Sequence, residues 1–198
     1  MGRYRAAICL MALAVMTAVQ AKETIVMMRH GEKPDGGLGQ LNCKGLQRSL
    51  ALPKVLIEQF GHPDMIMAPN PSALKRDSGQ PYDYIRPLAT IEPTAIQLGM
   101  PVDTNIAFDD IAKLEAALEA PALADKMVFV AWEHYFIEQV ARAMVTHSGG
   151  DGATVPTWDG KDFDSIYVVT LDHDANGKPT TAFRVAHEHL DGVSTTCP

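Results

Sequence analysis

Basic residues are in short supply in this chain. Its 198 residues include 17 lysines and arginines against 24 aspartates and glutamates, a formal net charge of −7. Such a surface argues against nucleic acid or an anionic membrane as the main partner. It still allows a small anionic substrate, because a local basic pocket can sit in an acidic protein. There is no internal repeat, no low-complexity tract and no interdomain linker. Beyond the first twenty residues no segment is apolar enough to span a bilayer, so no stable membrane insertion is expected. The one sequence that comes close to a glycosylation acceptor, Asn70-Pro71-Ser72, has proline in the forbidden position. The 46% hydrophobic and 21% charged residues fit one globular domain with a real core, neither disordered nor fibrous.

The start of the chain reads differently. Arg3 and Arg5 precede an apolar stretch from Ala6 to Val19, and Val19-Gln20-Ala21 offers small residues where a signal peptidase reads. Residues 1–21 therefore have the form of a secretory signal peptide cleaved after Ala21, which predicts a periplasmic or secreted protein with residues 22–198 as its single domain. A retained anchor helix is the alternative. Cys9 falls inside the apolar stretch, leaving Cys43 and Cys197. In an oxidising compartment that even pair is a candidate disulfide; two free thiols are as compatible with the spacing.

Periodicity predicts strands over 24–28, 64–68, 127–132, 166–171 and 181–187, and helices over 41–60, 86–98, 109–118 and 134–145. Val102 to Ile106 is a further strand candidate. Pro53 and Pro93 are expected to bend or interrupt their helices, and 69–84 reads as one long aperiodic loop. The order predicts an α/β three-layer sandwich: a central mostly parallel sheet, helices on both faces and a C-terminal β-hairpin.

The chemistry gathers at strand ends, where ligands bind in open parallel sheets. The first strand stops on Arg29, His30 and Gly31. Arginine offers a planar fork that matches phosphate oxygens, and a neutral, oriented histidine can be a nucleophile. A later strand ends on Glu133 and His134 at the mouth of a helix, a place that attracts anions. Arg86 opens another helix. Four cationic or potentially cationic groups converge on one rim.

The segment MRHGEKP resembles the Arg-His-Gly signature of the histidine phosphatase superfamily, which includes the cofactor-dependent phosphoglycerate mutases and acid phosphatases. APNP at 68–71 resembles that fold's second strand end, YIRPLATIEPTAIQLG its second-arginine helix, and FVAWEH its second-histidine strand. The resemblance implies hydrolysis of phosphate monoesters through phosphohistidine on His30. Arg29, Arg86 and His134 would hold the phosphoryl oxygens, and no metal or other cofactor would be needed. Lys33 falls where phytase-like members carry a further phosphate-binding arginine; a solvated loop lysine is its other reading. Where one branch has an aspartate proton donor, this chain has Tyr135, and the glutamate motif of the other branch is missing. The acids open to that role are Glu133, Asp109, Asp110 and Glu32, with the two aspartates also suited to capping a helix. Members without a dedicated acid handle good leaving groups or phosphoproteins.

The expected function is an exported, metal-independent phosphatase acting on a small phosphorylated substrate. A phosphoprotein or phosphohistidine phosphatase, or a catalytically weak phosphate-binding module, are the alternatives, and a mutase is disfavoured. His187-Glu188-His189 and Asp172-His173-Asp174 form an incomplete metal-ligand set on a hairpin. Lys75, Arg76, Tyr82 and Tyr84 lie in the long loop, which is expected to face substrate. Trp132 is expected in the core.

Overall fold

The computed structural model describes residues 22–174 and 176–198; the signal-peptide expectation for residues 1–21 lies outside the described residues. The elements are β1 (Glu23–Arg29), α1 (Cys43–Phe60), β2 (Met65–Met67), β3 (Leu74–Asp77), β4 (Gln80–Asp83), α2 (Arg86–Leu98), α3 (Ile111–Leu118), β5 (Met127–Trp132), α4 (His134–His147), β6 (Ser165–His173) and β7 (Pro179–His187). Five strands form one sheet in the order β2-β5-β1-β6-β7. β2, β5 and β1 pair in parallel, while β6 runs antiparallel to both β1 and β7, so four of the five strands share a direction.

Alternation along the strands divides the core in two. Ile25, Met27, Val128, Val130 and Trp132 face the side covered by α3 and α4, packing on Leu114, Leu118, Ile137 and Val140. Val26, Met28, Phe129 and Ala131 face the other side, against Leu52 and Leu56 of α1 and Ile91 and Ala95 of α2. β1 and β5 are buried on both faces, which explains why they read as continuous apolar runs. Trp132 is fully buried and donates its indole N–H to the Phe108 carbonyl at 2.8 Å.

Three expectations need correction. Residues 69–84 are not one loop, because β3 and β4 form a two-stranded hairpin. Ser78 and Gly79 both adopt positive φ, 48° and 84°, as a tight hairpin turn requires. Second, neither proline ends its helix. Pro93 cannot donate to the Ala89 carbonyl, and the Ser49 hydroxyl of α1 donates to that carbonyl instead, at 2.6 Å. Third, 102–106 holds only an isolated bridge, Met67 with Asp103.

Cys43, the first residue of α1, is disulfide-bonded to Cys197, which ties the C-terminal tail to the helix that follows the Arg-His-Gly segment. Among the described residues no helix is long and apolar enough to cross a membrane.

Candidate active site

The parallel strands deliver their carboxyl ends to one rim. β1 and β5 run in register to Arg29 and Trp132, and the His30 amide still donates to the Trp132 carbonyl at 2.9 Å. Past that bond the chain leaves the sheet. The Gly31 amide donates to the Thr90 hydroxyl, which donates to the Arg86 carbonyl, each at 2.9 Å. These two bonds pin the motif to the first turn of α2. A side chain at Gly45 would collide with the Glu32 backbone, so glycine there lets α1 start directly against the loop.

His30 is 3% exposed, and its Nδ1 lies 2.8 Å from the Gly31 carbonyl. Only an N–H satisfies that contact, which places the proton on Nδ1 and leaves Nε2 with a free lone pair. Burial, together with the charges of Arg86, Arg29 and His134, holds the ring well below the ordinary histidine pKa. The imidazole is therefore neutral at physiological pH.

Two guanidinium groups and a second imidazole surround it. Arg29 spends Nη1 on the Gly160 and Asp162 carbonyls, both at 2.8 Å, and stacks 3.7 Å over the Phe163 ring. Burial lowers its pKa to about 10, which still leaves it charged at neutral pH. Arg86 is 1% exposed at the first position of α2, with Pro87 behind it. His134 opens α4 beside Gly160, and burial followed by the Arg29 charge lowers its pKa. Arg29 Nε, Arg86 Nε, His134 Nδ1 and the Tyr84 hydroxyl are all buried without a hydrogen-bond partner among the described residues. Unpaired donors of this kind are costly in isolation and are suited to an anion rich in acceptor oxygens.

Sequence reasoning missed Asp77. It closes the β3–β4 hairpin and is only 5% exposed. Its carboxylate pairs with both terminal nitrogens of Arg86, at 2.5 and 3.3 Å. It also accepts from the Gly39 amide at 3.0 Å. Despite burial, those bonds hold its pKa below the usual carboxylate range. One fork of Arg86 is therefore already committed. Lys33 sits 3.8 Å from the same carboxylate with its side chain 42% exposed, an outer position on the rim.

The acid candidates separate clearly. Glu32 is bound by Arg48 Nε and Nη2 at 3.0 and 2.9 Å. Arg48 is fully buried and also holds Glu188 at 2.7 Å and Asp191 at 2.8 Å, so this is a structural hub. Asp110 caps α3 by accepting from the Lys113 amide, and Asp109 is exposed in the preceding turn. Glu133 faces the rim: it occupies the N-cap position of α4 without capping it, and pairs with Lys75 at 3.0 Å. Its charge reaches Arg29, Tyr84 and His134. Lys75 lies 4.7 Å over Phe108 and 5.2 Å over Tyr84, placing a further cation from the hairpin at the rim. On the terminal hairpin, Glu188 is taken by Arg48 and His187 approaches Asp164 at 3.5 Å.

No family model matches the sequence, and no curated protein matches it significantly. Solved structures do match the fold. A mycobacterial glucosyl-3-phosphoglycerate phosphatase aligns with TM-score 0.55 and 15% identity, over 82% of this chain and 97% of that one. Phosphoglycerate mutase from Plasmodium falciparum aligns with TM-score 0.53 and 14% identity, over 89% and 98%. SixA from Nakamurella multipartitia, a candidate phosphohistidine phosphatase, aligns with TM-score 0.53 and 15% identity, over 84% and 96%. The mycobacterial enzyme has also been solved with inorganic phosphate. The chain shares its fold with these proteins, phosphatases and a mutase among them.

Proposed function

We propose that this protein is an exported phosphatase that hydrolyses phosphate monoesters through a phosphohistidine on His30. The observation that carries this reading is a neutral His30 with Nε2 free, set among buried cations whose unpaired donors match phosphoryl oxygens. In the first step Nε2 attacks phosphorus in line, the bond to the ester oxygen breaks, and the leaving oxygen takes a proton from the carboxylic acid form of Glu133. In the second, Glu133 takes a proton from water, the oxygen attacks phosphorus, and inorganic phosphate departs as the P–N bond breaks. Arg29, Arg86 and His134 stabilise the charge on the equatorial oxygens. These steps need no metal. The signal-like composition of residues 1–21 and the Cys43–Cys197 disulfide support export to an oxidising compartment.

A second reading, a phosphohistidine or phosphoprotein phosphatase, is favoured by the likeness to SixA and by the Lys75 ion pair, which engages Glu133. A weak phosphate-binding module is favoured by Asp77 in the Arg86 fork. Alkaline quench of the protein mixed with a radiolabelled aryl phosphate separates these. The expected result is an alkali-stable, acid-labile phosphoryl group on His30. Turnover with no such species, or with phosphate on another residue, overturns the mechanism.

A further inference from the structure

A second polar cluster lies at the opposite end of the sheet, where β1 begins. Glu115 and Glu119 stand four residues apart along α3 and its C-cap, and His147 is the last residue of α4. His147 Nδ1 lies 2.9 Å from a Glu115 carboxylate oxygen and 3.4 Å from one of Glu119. One ligand atom from each of the three residues falls within 4.8 Å of the others. Two helix C-termini, each carrying partial negative charge, end at this place.

The independent observation is Glu23. It is 5% exposed, and its Oε1 has no hydrogen-bond partner among the described residues. It lines a cavity of about 450 Å³ together with Glu119, His147, Asp172 and His173, and among the described residues no lysine or arginine lines that cavity. A buried carboxylate normally has a cation or donors against it. Here the groups around it are acids and imidazoles. The Glu115 oxygen near His147 Nδ1 is buried too, and that contact is not aligned as a hydrogen bond. Unpaired acceptors at the end of a cavity call for a positive ion.

We propose that Glu115, Glu119 and His147, beside the cavity that Glu23 lines, form a binding site for one divalent first-row transition-metal ion at the end of the sheet remote from His30. The imidazole nitrogen disfavours Ca²⁺ and Mg²⁺, and a mixed carboxylate–imidazole set suits Zn²⁺ or Mn²⁺. The ion would join the end of α3 to the end of α4, with Glu23 at the start of β1 in the adjoining cavity. It takes no part in the phosphoryl chemistry, and the proposal stands apart from the phosphatase reading.

The test is calorimetric titration of the purified, EDTA-dialysed protein with Zn²⁺, repeated with Ca²⁺. The expected result is one saturable Zn²⁺ site per chain and no saturable Ca²⁺ uptake. Glu119→Gln and His147→Ala should each weaken Zn²⁺ by at least about tenfold. His147 is exposed, so its variant should fold normally, checked by circular dichroism in EDTA. His30→Ala and the double variant His187→Ala/His189→Ala should bind as the parent does. Absent Zn²⁺ saturation, or uptake unchanged in both the Glu119 and His147 variants, overturns the proposal.

Discussion

One strand, β1, carries a titratable group at each end, and the two ends treat it oppositely. Glu23 opens the strand among acids, whereas His30 follows it among cations. At the amino end, burial and the Glu119 charge push the Glu23 carboxyl up to about 8. At the carboxyl end, burial and Arg86, Arg29 and His134 hold His30 well below its ordinary value. Each group is kept neutral by desolvation and by neighbours of the charge it would acquire. The unpaired atoms differ in kind: donors surround His30, while acceptors gather near Glu23. The same strand therefore offers an anion site at one rim and a cation site at the other. The lesson is that burial alone does not name a ligand; the sign of the unpaired neighbours does.

Breaking the anion end should have the largest consequence. Arg86→Ala is expected to lower kcat/KM for an aryl phosphate by roughly 10²–10³-fold, since a charge-stabilising donor to the transition state is removed. Steady-state kinetics check this, and a change under threefold would assign Arg86 to Asp77 alone. Glu133→Gln sharpens the same end. It should reduce kcat by roughly 10²-fold for an alkyl phosphate and by much less for p-nitrophenyl phosphate, whose leaving group needs no proton. Equal losses on both substrates would remove Glu133 as the acid.

The smallest effect belongs to the cation end. Between about 4.5 and 8 the folded protein keeps the Glu23 proton while the unfolded chain has lost it. The stability this contributes is complete below 4.5 and is lost as pH rises through 8. Glutamine stays neutral throughout. In metal-free buffer Glu23→Gln should thus raise Tm at pH 8 by roughly 10 °C and leave it unchanged at pH 4.5. A destabilised variant at pH 8 would show that the carboxylate has a cationic partner.

The carboxyl end was the more legible of the two in the sequence. Arg29, His30 and His134 follow directly on apolar runs, and strand ends are where parallel sheets place ligands. Arg86 was readable from Pro87 at a helix start. Asp77 was not, because Leu74 to Asp83 is mostly exposed and shows no apolar alternation. Its one signal was Ser78-Gly79, a turn dipeptide between two short polar runs. The Arg48 hub was hidden for another reason. Its partners lie 16, 140 and 143 residues away, and no local pattern encodes such pairing. The amino end was equally opaque: Glu23, Glu119 and His147 belong to three elements and meet only once the sheet and its α3–α4 layer are assembled.

The most direct measurement is phosphate release from p-nitrophenyl phosphate by the purified protein and by His30→Ala, from acidic to neutral pH, with folding of both checked by circular dichroism. Release by the parent that persists below pH 6.5, and none by the variant, is the expected result, because the His30 ring stays neutral below its ordinary pKa of 6.5. Equal release by both proteins would contradict phosphohistidine catalysis on His30.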